Sequence, residues 1–301
     1  MFFKNLYLLT LDQGFTMSPE ALDDAMQVHE FKPCATLQAF SFGWVSPIGK
    51  EDAPLVHAAN GCLMVCAQRE EKILPSQVVA ETLAEKIAEI EEREGMPVRK
   101  AQRDTLREEI IHDLLPRAFS FTRRLYAYID LATGWLVVDS ASAARAEELA
   151  SLLRQSLGSL PAAPPSTQLP PAQVMTRWLH TKDLPAGIGV RADCSLKAED
   201  ESGEEIIFRH ADLSQDELQA HLDAGLAVKQ LALSWRDRLS FTLDSQLRVK
   251  RLRFLDLVQE ERMGIETDSP EASFDADFAI MSGELREFIP ALVKLFGGLA
   301  D

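Results

Sequence analysis

Two basic segments of the chain carry residue types able to act on a polyanion. The first is Arg117-Ala118-Phe119-Ser120-Phe121-Thr122-Arg123-Arg124. In an extended backbone, positions 117, 119, 121 and 123 share one side, setting two phenyl rings between two guanidinium groups. A guanidinium pairs with phosphate, and an aromatic ring stacks on a base or wedges between base steps. The same residues admit a plainer arrangement, with one phenyl in the core and the arginines paired to nearby Asp and Glu. The second segment is Arg248-Val249-Lys250-Arg251-Leu252-Arg253, four cations in six residues. Strand alternation would put Arg248 and Lys250 on one face and Arg251 and Arg253 on the other. Both faces cannot be buried, so at least one is a solvated cationic surface or an acid-paired interface. A third group, Arg99, Lys100, Arg103 and Arg107, forms one polar stripe of a helix, which is ordinarily a solvated face.

Other chemistries lack their residues. Gly187-Ile188-Gly189 has neither the third glycine nor the following helix of a nucleotide loop. Cys62 and Cys66 are separated by three intervening residues in an apolar run, the wrong spacing and setting for zinc. The histidines His29, His57, His112, His180, His210 and His221 form no H-x-x-x-H pair, and no serine sits in a G-x-S-x-G elbow. Carboxylate pairs such as Asp275/Asp277 and Glu204/Glu205 are expected in so acidic a chain. The residues therefore predict a protein that is not an enzyme and needs neither cofactor nor metal.

Charge sharpens the question. The 301 residues sum to −16 at neutral pH, which taken alone opposes nucleic acid. A binding surface is local, however, and the charge is segregated. Residues 229–253 carry +5 and residues 99–124 carry +3, while 193–223 and 254–301 carry −8 each. No apolar run reaches the roughly 18 residues of a membrane span. The opening MFFKNLYLLTLDQGF reads as a first strand rather than a leader peptide, and four cysteines in apolar settings give no disulfide framework. The cytoplasm is the expected compartment.

The elements that must hold these groups follow from patterning. Phe2 to Leu11 predicts a strand, and Ser18-Pro19 opens a helix running to about His29. Strands are expected near Ala35–Val45 and Gly61–Arg69, with a loop between them. Val79, Leu83, Ile87 and Ile90 form one helical stripe, and Leu106, Ile110 and Leu114 a second, broken at Gly95-Met96-Pro97. This is a helical hairpin inserted between strands and free to project. Strands follow at Phe121–Ile129 and Gly134–Val138, then a helix from Ser142 to Leu157 stopped by Gly158. The uncharged, proline-rich residues 161–171 mark a linker. Beyond it come strands near Gly187–Cys194 and Glu205–Arg209, and a capping box Ser214-Gln215-Asp216-Glu217 opening a helix that ends at Gly225. Three more strands, Ala227–Ser234, Leu239–Leu243 and Leu247–Phe254, precede a C-terminal helix from about Ser282. The class is α+β, with mixed or antiparallel sheets, flanking helices and a projecting helical hairpin. The expected organisation is a first α+β domain (1–74 and 118–160), a helical finger (75–117), the linker and a second α+β domain (172–301).

Several runs of the chain resemble the bacterial RdgC family of recombination-associated proteins. They include Phe3-Lys4-Asn5-Leu6, Gly43-Trp44-Val45 with Pro47 and Gly49, Ala59-Asn60-Gly61 and Glu70-Glu71-Lys72-Ile73-Leu74-Pro75-Ser76. Further on come Leu114-Leu115-Pro116-Arg117-Ala118-Phe119-Ser120, Ser156-Leu157-Gly158-Ser159-Leu160-Pro161, Leu231-Ala232-Leu233, Trp235, Lys250-Arg251-Leu252 and Phe274-Asp275-Ala276-Asp277-Phe278. The resemblance implies a horseshoe-like subunit that closes with a second copy into a ring around DNA. It implies binding of single- and double-stranded DNA without sequence preference, restraint of RecA-promoted strand exchange, and nucleoid association. A ring can line its hole with basic segments and turn acid outward, which reconciles DNA binding with a charge of −16. The family's basic finger stretch matches Arg99, Lys100 and Arg103, its root aromatic matches Phe119, and Lys250, Arg251 and Arg253 match basic positions. Arg123 and Arg124 lie where the family is less basic. The competing class is an acidic adaptor that docks a basic protein and does not touch DNA; a metal-using hydrolase built on the acidic clusters has no motif behind it.

Overall fold

The computed structural model describes residues 1–11, 15–50, 52–198, 203–213, 216–265 and 267–300. In chain order the elements are β1 (Tyr7–Leu11), α1 (Pro19–Gln27), β2 (Phe40–Val45), β3 (Val56–Ala59), β4 (Cys62–Lys72), α2 (Ser76–Glu94), α3 (Lys100–Leu114), β5 (Ser120–Asp130), β6 (Trp135–Val138) and α4 (Ala143–Leu157). The rest are β7 (Ala162–Ala163), α5 (Pro171–Thr181), β8 (Ile188–Ala198), β9 (Glu205–Phe208), α6 (Asp216–Asp223), β10 (Leu226–Trp235), β11 (Leu239–Asp244), β12 (Val249–Phe254), α7 (Asp256–Met263) and α8 (Pro270–Leu295). The class is α+β: all strand pairs within the two sheets are antiparallel, and helices cover the faces.

The first sheet runs β2-β4-β5-β6-β1-β7, with β3 sharing an edge of β4 with β2. Both its faces are covered, which is why β4 opens on the unbroken apolar run Cys62–Ala67. Leu63, Val65 and Ala67 face α1 and α4, packing with Leu22, Met26, Leu149 and Leu153. Cys62 and Met64 face the other way, into a core shared with α5, α8 and the second sheet. That second sheet runs β12-β11-β10-β8-β9. The two sheets touch directly through Leu6 and Val249, whose N–H groups each donate to the other's carbonyl at 2.8 and 3.1 Å.

Several expectations need correction. Val56–Ala59 is a strand, not loop, and β2 begins at Phe40 because residues before it form a turn. The proline-rich stretch holds a two-residue strand pairing with β1, and Pro171 sits in the first turn of α5, where its missing N–H costs nothing. Helix α7 was not expected. Helix α8 starts twelve residues earlier than Ser282, at Pro270, capped by the Ser269 hydroxyl, which accepts from the Ala272 N–H at 3.1 Å. Pro290 inside α8 removes one helical bond, but buried Phe288, Ile289, Leu292 and Val293 hold the helix through it. Ser214 and Gln215 of the expected capping box lie outside the described residues; α6 begins at Asp216 as described.

Candidate nucleic-acid interface

Strands β4 and β5 pair over eleven residues, from Cys62 opposite Asp130 to Lys72 opposite Ser120. One further bond, Ile73 N–H to the Phe119 carbonyl at 2.7 Å, extends the ladder to the point where α2 and α3 leave the sheet. The two helices are thus the loop of a very long hairpin. They meet along a narrow seam in which Val79, Val98 and Ile110 are buried, while Leu83, Ile87, Ile90 and Leu106 are half-buried. Gly95 ends α2 at φ 68°, a left-handed turn that glycine makes without steric cost, and its N–H caps the Glu91 carbonyl at 2.9 Å.

At the root, the extended run holds only in part. Arg117 ends a 3-10 turn, Leu115–Arg117, and so leaves the line that continues through Phe119, Phe121 and Arg123. Phe119 is 84% exposed although fixed at the backbone. Phe121 is half-buried, and the Arg123 guanidinium sits 4.5 Å from its ring centroid and 3.7 Å from Glu71. One phenyl and one arginine therefore follow the plainer reading, whereas Phe119 and Arg117 face solvent.

The finger cations lie on α3. Arg99 is its N-cap, Lys100 its first residue, and no acidic residue occupies the first turn. Cations there oppose the helix dipole and leave a positive end with free amide donors, a favourable place for an anion. Arg103 donates to the Val98 carbonyl at 3.1 Å and lies 3.9 Å from Glu91, while Arg107 is exposed.

Strict alternation fails in β12. A bulge opposite β11, with Arg251 at φ 51°, resets the phase. Val249, Leu252 and Phe254 are all buried, while Lys250 is half-buried and Arg251 and Arg253 are exposed, so one face is core and the cations are set outside it. Two of the cations are internal partners: Arg248 Nε and Lys250 Nζ lie 2.7 and 3.0 Å from the same Oδ2 of Asp244, itself nearly inaccessible. Arg251 is 76% exposed and 3.8 Å from Asp193.

Of the eleven residues singled out, Arg99, Lys100, Arg107, Arg117 and Arg253 are exposed and, among the described residues, have no carboxylate partner. The structure brings the β12 backbone near the cleft that Arg123 lines. Asn5 accepts from the Arg251 N–H at 3.4 Å and lines the same cleft as Arg123. It does not bring Arg99 and Lys100 there, because α3 at about 1.5 Å per residue sets its first turn roughly 20 Å from the root. Sequence reasoning passed over Arg145, exposed on α4, and Arg69, stacked 4.2 Å from the Phe40 ring centroid. Phe40 and Arg69 lie in neighbouring rows of paired strands, a signal visible only once register is known.

Nucleophile and metal chemistry find little here. Burial pushes the thiols of Cys62, Cys66 and Cys194 up to about 11, 12 and 12, leaving them protonated at neutral pH. Among the described residues, no three His, Cys, Asp or Glu side chains gather as a ligand set. Among the described residues, no helix is long and apolar enough to cross a membrane.

Comparison with known proteins agrees with the resemblance noted above. A family model described as "RdgC: Putative exonuclease, RdgC" matches residues 1–299. The protein named recombination-associated protein RdgC in Aeromonas hydrophila is 41% identical over 298 residues, covering 99% of this chain and 98% of its own. Its namesake in Tolumonas auensis is 41% identical over 298 residues, 99% of each chain. That of Yersinia pestis is 37% identical over 301 residues, 100% of this chain and 99% of its own. One description carries an enzymatic term and the curated names do not. Matched from end to end at this level of identity, the chain belongs to the RdgC family.

Proposed function

We propose that this chain binds double- and single-stranded DNA without sequence preference, as a homodimer closed into a ring, and restrains RecA-promoted strand exchange by occupying the DNA. The observation that carries the reading is Phe119, 84% exposed on a fixed backbone and two residues from Arg117, which is exposed with no carboxylate partner among the described residues. An apolar ring held in water suits a base, and an exposed guanidinium at the same root suits a phosphate. Arg99, Lys100, Arg103 and Arg107 supply phosphate contacts from the finger, and Arg253 and Arg251 supply them from the second sheet. Arg123, Arg248 and Lys250 serve less directly, since carboxylates hold them. Phosphate contacts position a protein on DNA but carry no sequence, which fits the absence of sequence preference.

In this reading residues 1–74 and 118–160 form the ring's body, 75–117 the finger, 161–171 a connector and 172–301 the second domain. The relatives are named recombination-associated proteins, which supports a role for this chain in recombination and, with it, association with the nucleoid. The chain acts by binding, without catalysis.

Fluorescence anisotropy on labelled duplex and single-stranded DNA of two unrelated sequences, titrated with salt, tests the proposal. Similar affinities for both sequences, falling steeply with salt, are expected. No binding at low salt would overturn it in favour of the acidic adaptor. Sedimentation should give twice the chain mass, and incubation of DNA with Mg²⁺ or Mn²⁺ should leave it intact; degradation would restore the enzymatic description.

A further inference from the structure

Strand β1 has one gap on its outer edge. The Leu11 N–H donates to the Gly134 carbonyl at 2.8 Å, towards β6, so the odd-numbered residues of β1 spend their main-chain groups inside the sheet. The even-numbered residues face the other way, where Leu6 meets Val249 and Thr10 meets Ala163. Leu8 lies midway between those two contacts. Among the described residues, neither its N–H nor its C=O has a hydrogen-bond partner.

The registers give the reason. Continuing from Thr10 and Ala163 sets Pro165 opposite Leu8, and proline has no N–H to offer. Continuing from Leu6 and Val249 sets Leu247 opposite Leu8 instead. Leu247 turns back at φ 59° and gives its N–H to the Asp244 carbonyl at 3.0 Å. Two segments thus approach one position from opposite ends, and neither fills it. Between them lies a cavity of about 500 Å³ lined by Leu8, Pro165 and Leu247, a size at which small molecules bind. Leu8 is only 3% exposed, and a buried donor and acceptor left unmet are costly.

The shape of the gap selects its occupant. From Leu6 to Thr10 the strand covers only about 13 Å, and both ends are already paired, so an added peptide strand has no room to run. A small planar molecule with an acceptor beside a donor fits, taking the Leu8 N–H and giving its own N–H to the Leu8 carbonyl. Every nucleobase carries such an edge, a ring nitrogen or carbonyl next to an N–H. Pro164, Pro165, Pro170 and Pro171 supply apolar walls for the ring faces. Arg248 also lines the cavity, and Asp244 holds only its Nε, which leaves the terminal nitrogens for a phosphate. We propose that this cavity takes a nucleobase, with Leu8 pairing to its acceptor–donor edge and Arg248 receiving the attached phosphate. The site lies away from Phe119 and does not rest on the DNA reading.

Adenosine monophosphate is the probe, read by titration calorimetry on the full chain. Ribose 5-phosphate, which has no base, and N6,N6-dimethyladenosine monophosphate, which has no donor beside its acceptor, run as controls. The probe should bind and both controls should fail. Ser166→Trp and Gln246→Trp each start from an exposed side chain lining the cavity and should weaken binding at least about tenfold by filling it. Phe119→Ala should leave binding unchanged, which keeps this site apart from the DNA interface. Hydrogen exchange of the Leu8 amide should slow with the probe bound, while Tyr7 and Leu9, already in the ladder with β6, change little. An eight-nucleotide deoxyadenosine strand that displaces the probe would identify the natural occupant as a base of DNA, and one that does not would identify a free nucleotide. Absence of binding, equal binding of either control, full affinity in both tryptophan variants, or an unprotected Leu8 amide would each overturn the proposal.

Discussion

The guanidinium of Arg286 on α8 clasps the carboxylate of Asp130 at the end of β5, with Nε 2.8 Å from one oxygen and Nη2 3.1 Å from the other. The same Nη2 donates to the Asn60 carbonyl at 2.7 Å, so one side chain ties the C-terminal helix to two turns of the first sheet. Asp130 is only 2% exposed. Removing Arg286 strands a buried charge, and Arg286→Ala should cost about 3–5 kcal/mol of stability in urea unfolding. Adding Asp130→Asn should recover part of that loss. A single-variant cost indistinguishable from a surface substitution would mean that water, not Arg286, satisfies the carboxylate.

Phe119→Ala separates binding from folding. The ring is exposed, so the unfolding midpoint should stay within experimental error. Affinity for single-stranded DNA should fall by roughly 1–3 kcal/mol, and Phe119→Tyr should keep most of it. Unchanged affinity alongside lost stability would make Phe119 a packing residue.

Charge at the start of α3 makes the two readouts move in opposite directions. Arg99→Glu with Lys100→Glu places acids where the helix dipole favours them, so the finger should become slightly more stable. DNA binding should weaken on every sequence alike, and the salt slope should fall by about two. An unaltered slope would remove these two residues from the interface.

The buried thiols predict how stability depends on pH. In the unfolded chain a thiol titrates near 8.5, whereas burial pushes Cys62 up to about 11 and Cys66 and Cys194 up to about 12. Folding raises these values, so their contribution is complete below the unfolded value. It is then lost as pH climbs towards 11–12, because the unfolded state ionises first. The urea midpoint should therefore decline above about pH 9. Iodoacetamide at pH 8 should leave these three cysteines unmodified in the native protein and alkylate them after denaturation.

Much of this architecture could be read from local signals, and the exceptions share a cause. The stripes of α2 and α3, the stop at Gly158 and the start at Ser18-Pro19 are short-range patterns, and each appears where its spacing implies. Ser269-Pro270 is the same start signal, yet the sequence reading starts this helix only at about Ser282, and the segment between carries Asp275 and Asp277. Those acids instead meet His57, Arg262 and the amino terminus, partners up to 276 residues away. The site divides in the same way. The positions of its cations were visible as residue types, but which of them a carboxylate holds depends on the fold. Asp244 engages Arg248 and Lys250 across a turn, and the bulge at Arg251 puts a non-glycine residue in a left-handed conformation that no local rule announces.

The long hairpin that carries the finger also fixes how the molecule bears tension. Both strands leave the finger at the same end, Ile73 on one side and Phe119 on the other. A pull along the hairpin axis moves β4 and β5 together, so their shared ladder is not unzipped. The load passes sideways, to the six β2–β4 pairs, four β3–β4 pairs and four β5–β6 pairs, which must slide in shear and break together rather than in sequence. A finger mounted this way stays anchored under a force that would peel open a hairpin gripped by its two free ends.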